Sequence, residues 1–127
     1  MPLTTSRENT LLDAMFSATT YIGASTSTIT KVGGNVTEPS DEAYVRATVL
    51  ATSMGSAGTG AITNIAAVAH DEATESWGTI TDVAFYDAAS GGTPFAYGVL
   101  AAPKAVGSGE ILRYAIGEID VAFVQPA

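Results

Sequence analysis

A chain of 127 residues with thirteen acidic and five basic side chains, net charge −8, has room for one core and little attraction for phosphate backbones or anionic lipid heads. Only 14% of it is charged, against roughly 25% in ordinary soluble domains, so part of its surface is expected to lie against other copies or another protein. It contains no cysteine, which excludes disulfide stapling and thiolate chemistry, and no apolar run approaches a membrane span.

The opening stretch MPLTTSRENTLLDAMF lacks the continuous apolar core of a secretion signal and reads as a helix over about 5–17. Thr5 followed by Glu8 fits a capping box, in which a hydroxyl and a carboxylate each satisfy a terminal amide. Leu11, Leu12, Met15 and Phe16 recur at helical spacing, leaving Arg7, Asn9 and Asp13 for the opposite side. TTYIGAST then predicts a strand with Ile22 and Ala24 on one face. The paired glycines, Asn35, Pro39 and Ser40 make 31–42 a loop long enough to serve as a contact.

AYVRATVLAT alternates Tyr44, Arg46, Thr48 and Leu50 with Val45, Ala47, Val49 and Ala51, the second set forming the buried face of a strand. SMGSAGTG, over 53–60, is a flexible loop. AITNIAAVA reads as a strand because of its neighbours, although alanine favours helix. From Trp77 the alternation resumes, with Trp77, Thr79, Thr81, Val83 and Phe85 opposite Ile80, Asp82, Ala84 and Tyr86. The turn DAASGGTP and the returning FAYGVLAAP complete a hairpin, with Phe95, Tyr97 and Val99 on one face. ILRYA and IDVAFV supply terminal strands, with Gly117 at a bend. The fold class expected is mainly β: a small antiparallel β-sandwich or jelly-roll-like single domain spanning 1–127, with one short N-terminal helix and a C-terminal hairpin block over about 76–124.

No constellation points to catalysis. His70, in HDEATES, is the single histidine, and the spaced ligands of a calcium loop or a zinc site are missing, so the segment reads as a solvated turn. No serine sits in a nucleophile elbow, GSAGTG and GSGE lack the Lys-Ser/Thr ending of a phosphate loop, and nothing singles out one pair of acids for glycosidic cleavage. No catalytic, cofactor or metal residue is assigned. The aromatics Trp77, Phe85, Tyr86, Phe95 and Tyr97 are assigned to core or to a subunit interface rather than to a sugar platform, with the indole N–H of Trp77 expected to find a backbone partner.

Taken in order, ENTLLDAMF, TTYIGAST, TEPSDEAYVRATV and above all ESWGTITDVAFYDAASGGTPFAYGVLAAPKAVGSGEILRYAIGEIDVAF resemble a family of small tailed-bacteriophage virion proteins often labelled phage tail fibre protein. The C-terminal block, with its W-G-T strand, F-Y-D-A turn entry and A-P-K bend, is the most specific part. The chain departs from that family in a shorter loop before the first strand and in less charge between strands. The resemblance implies a non-enzymatic virion component, made in the host cytoplasm and carried in the particle.

The chain shows none of the repeats, coils or spirals of a fibre shaft. It is therefore expected to be a capsid decoration or cement protein that assembles as a homotrimer and binds the major capsid protein. The alternative is a tail fibre or minor tail protein that binds other tail proteins and a host surface or glycan. Neither nucleic acid nor membrane is an expected partner. Contacts are expected from the N-terminal segment and the two long loops, through Met1, Pro2, Leu3, Glu38, Pro39 and Met54.

Overall fold

The computed structural model of the protein describes residues 3–123. Its chain alternates between two compact units, one built from 3–19, 49–68 and 114–123, the other from 20–48 and 69–113. The mainly antiparallel β architecture with a single short N-terminal helix is as the sequence predicts.

The first unit holds α1 (Thr5–Met15), which packs on β3 (Ala61–Thr63). The cap lies one residue earlier than the Thr5…Glu8 spacing suggests: Thr4 is the extended N-cap, and its hydroxyl accepts from the Arg7 amide at 3.3 Å. Glu8 sits in the first turn, where a carboxylate complements the helix dipole. The buried stripe also differs from the predicted one. It follows the i, i+4 row Glu8, Leu12 and Phe16, while Leu11 is 39% exposed. Gly60 makes room for this row, because a Cβ there would lie 2.7 Å from Glu8 Oε1.

The polar side of α1 is put to use as well. Asn9 and Asp13 accept from the amides of Gly60 and Ala57 at 2.9 and 2.8 Å, tying the helix to the loop that leads into β3. Thr59 and Gly60 both have positive φ, 53° and 79°, the primed turn that reverses the chain between Gly58 and Ala61. Strand β3 pairs antiparallel with β8 (Asp120–Ala122), Ile62 opposite Val121. Just beyond it, buried Asn64 uses its whole amide: Nδ2 donates to the Ala66 and Ala115 carbonyls, and Oδ1 accepts from Gly117 and Ile119. AITNIAAVA is thus a strand interrupted by an asparagine clamp. It resumes only as β4 (Val68–Ala69), which, like β7 (Arg113–Tyr114), lies where the chain passes from one unit to the other.

The second unit is built on a four-stranded sheet in the order β2 (Ala47–Val49), β1 (Thr20–Ser25), β5 (Gly78–Tyr86), β6 (Ala96–Val106). Alternation places Ile22, Ala24, Ile80 and Ala84 at zero exposure, each isoleucine worth about 1.5–3 kcal/mol on burial. β1 pairs one-to-one with β5 from Tyr21↔Tyr86 to Ser25↔Asp82. β6 pairs with β5 in two stretches. The register jumps from Ile80↔Lys104 to Asp82↔Val99, so that residues 100–103 stand opposite Thr81 alone. The predicted A-P-K bend is this bulge, and Pro103, which has no amide to donate, lies within it.

Two predicted features of this unit are corrected. Val45 is 50% exposed while Arg46 is 8% exposed, so the alternation read from 44–51 holds only for the β2 core, Ala47 and Val49. His70 is buried at 3%, not in a solvated turn, although Asp71 and Glu72 beside it are exposed.

Candidate functional site

The sequence assigned the loop over 31–42 to contacts. In the structure its two acids, Glu38 and Asp41, instead organise the second unit. Asp41 accepts at Oδ1 from the Ala43 amide and the Thr74 hydroxyl, and at Oδ2 from the amides of Thr74 and Glu75 and from Trp77 Nε1 at 3.0 Å. A carboxylate with both oxygens filled in this way pins the 41–44 turn to the segment entering β5. The Trp77 indole, expected to find a backbone carbonyl, is therefore oriented by a carboxylate. The hydrogen bond from Thr74 is the strongest influence on Asp41 and, with the amide and indole donors, holds its carboxyl far below the usual carboxylate range despite burial.

Glu38 pairs with Arg46, Nη2 to Oε1 at 2.8 Å, and also accepts from Arg46 Nε and the Tyr44 hydroxyl. That hydroxyl in turn accepts from the Ala24 amide of β1 at 3.0 Å. Arg46 Nη1 donates to the carbonyls of Ala88 and Gly91 at the tip of the β5–β6 hairpin, and the guanidinium carbon lies 3.4 Å from the Tyr86 ring centroid. A desolvated cation–π contact of this kind is worth about 2 kcal/mol. Burial pushes Glu38 up, but the hydrogen bonds from Arg46 and Tyr44 and the guanidinium charge outweigh it and leave the carboxyl below its ordinary value. Gly23 makes the approach feasible, since a Cβ there would meet the Tyr86 ring at 3.0 Å and Glu38 Oε2 at 3.2 Å.

A shallow pocket of about 290 Å³ opens over this pair, lined by Glu38, Tyr44, Val45, Arg46 and residues 89–91. Behind it, His70 stacks on Tyr44 with ring centroids 5.8 Å apart, and both meet Trp77 edge-on. His70 Nδ1 lies 3.0 Å from the Val45 carbonyl and, facing an acceptor, carries the proton. Burial is the dominant influence on His70 and keeps its imidazole neutral below the ordinary value, against the pull of the Val45 carbonyl, Asp71 and Glu38. Among the described residues no cluster of histidines and acids could hold a metal ion.

Chemically, the pocket offers one ionised, oriented carboxylate beside backbone and an exposed valine. Its oxygens are already taken by Arg46 and by the Tyr44 hydroxyl, so the carboxylate serves to hold the fold.

The predicted contact residues disperse. Met1 and Pro2 lie outside the described residues. Leu3 is 43% exposed, Pro39 is half-buried beside the Glu38 pair, and Met54 is 6% exposed, bridged to Asn64 in the first unit. The residues that composition and periodicity missed are Asp41, Arg46 and Thr74. The one available signal was a charged residue at a strand start, Arg46, set close to loop acids.

The aromatics divide along the hairpin. Trp77, Phe85 and Tyr86 are buried, whereas Phe95 and Tyr97 on the returning strand are 37% and 44% exposed.

The polar side chains of this site hold loops in place, and comparison with known families gives the class of protein. The chain belongs to the family described as Podophage GP4 fiber I protein gp80, whose model matches residues 2–122, and is thus a bacteriophage virion protein of the tail-fibre type. No curated protein matches it. None of its described helices is long and apolar enough to cross a membrane.

Proposed function

We propose that the chain is a structural module of a podophage tail fibre that acts through protein–protein contacts and without catalysis. The observation that carries this reading is the family match over residues 2–122, to a protein described as a fibre component. The chemistry of the site is consistent with it, since Asp41 and Glu38 are committed to loops and His70 to Val45 and a ring stack. The absence of internal repeats sets it apart from the shaft of such a fibre. Exposed Leu3 and the pocket beside Glu38 are the surfaces offered to tail partners and to a host surface.

The competing reading is decoration of the capsid shell, which rests on the same absence of repeats and fits a virion structural protein as well. Gold-labelled antibody against the chain, applied to intact particles, separates the two. Label at the tail is the expected result; label distributed over the head overturns the proposal in favour of decoration.

A further inference from the structure

β6 is the outermost strand of its sheet, with β5 on its inner side. An edge strand presents unpaired amides and carbonyls, and natural proteins blunt such edges with bulges, prolines and lysines. β6 treats its two halves differently. The half from 100 to 104 carries these devices: the bulge opposite Thr81, Pro103, and Lys104. The half ending at Val99 carries none. It pairs regularly with β5 from Phe85↔Ala96 to Asp82↔Val99, and Phe95, Tyr97 and Val99 are 37%, 44% and 73% exposed.

We propose that Phe95–Val99 is a homotypic joint, at which the segment pairs antiparallel with the same segment of a second copy about a two-fold axis through Tyr97. The sequence of the segment favours a copy of itself. FAYGV alternates large and small residues identically in both directions, so a register centred on Tyr97 sets Phe95 against the partner's Val99, Tyr97 against the partner's Tyr97, and Ala96 against the partner's Gly98. Every large side chain then meets a large one on the same face.

Charge favours it too. No acid occurs between Asp87 and Glu110, and Lys104 is the one charge in that interval, so two chains of net charge −8 meet here without opposing acid to acid. The bulge at 100–103 then ends the pairing, and the two-fold axis makes the contact a closed pair rather than a growing sheet.

The absence of cysteine makes a clean test on the full chain. Sedimentation of the wild type over micromolar to submillimolar concentration is expected to show a monomer–dimer equilibrium. Val99→Lys replaces the apolar contact with the partner's Phe95 by a charge and is expected to weaken the dimer at least about tenfold with unchanged circular dichroism. Tyr97→Cys is expected to form a covalent dimer on oxidation, because strand neighbours lie within disulfide reach. Thr48→Cys, exposed on β2 at the other edge of the sheet, is not. A wild type that stays monomeric, a trimer indifferent to Val99→Lys, or Tyr97→Cys cross-linking no faster than Thr48→Cys each overturns the proposal.

Discussion

Asp41 gathers five hydrogen bonds onto one buried carboxylate, while Tyr97 and Val99 stand on an edge strand with their side chains exposed. Both regions belong to the same unit, which combines a buried polar pin with an exposed apolar strand edge. The pin holds the fold of the unit, and the edge is where the proposed joint lies.

The sharpest way to break this comparison is to empty the pin. Asp41→Ala strands buried amides, a hydroxyl and an indole N–H at once, and calorimetry should show a melting temperature lower by on the order of 15–20 °C. Asp41→Asn, which keeps the shape and one acceptor, should recover about half of that loss.

Next in size is Arg46→Ala, which leaves Glu38 without its partner and releases the hairpin carbonyls. Urea denaturation should register a cost of about 3 kcal/mol. Arg46→Lys should lose nearly as much, because an ammonium cannot span Glu38, two carbonyls and the Tyr86 face together.

A smaller effect depends on pH. His70 is held below its ordinary value of about 6.5, so the unfolded chain takes up a proton that the folded chain refuses. Stability is therefore complete above pH 6.5 and declines as pH falls below it, by at most about 1.4 kcal/mol per unit. His70→Phe should flatten the melting temperature over this interval. Asp41 and Glu38 have depressed values, so their contributions are present throughout it and are lost only on further acidification, below the ordinary carboxylate range.

The smallest expected change completes the contrast. Val99→Lys, measured on dilute protein, should leave folding stability within about 0.5 kcal/mol, because the site is 73% exposed and touches nothing essential in one copy.

Elements with strong local signals were legible in the sequence. The β5–β6 hairpin, β1 and the short helix follow from period-two and helical spacing, and Gly117 indeed bends the chain, at a φ of 84°. What periodicity misplaced were polar residues whose burial depends on a distant partner. Arg46 reads as a solvent-facing strand residue until Glu38 and Tyr86 are brought to it, and His70 reads as part of an acidic turn until Tyr44 and Trp77 enclose it. Asp41 looked like loop filler because four of its five donors lie more than thirty residues away in sequence. The helix stripe shifted to Glu8 for the same kind of reason: a glycine from another segment supplies the space. The exposure of the returning strand was equally invisible, since alternation gives the faces of a strand and not whether it ends a sheet.

Arg46 holds the tip of the β5–β6 hairpin by the carbonyls of Ala88 and Gly91, leaving the exposed side chains of Ala89 and Ser90 out of the bonding. The path of the loop is thus insulated from the identity of those two residues. A lineage can rewrite what the tip displays, one substitution at a time, while the same arginine keeps it in the same place. That separation of scaffold from display lets a surface be diversified by descent without refolding the module beneath it.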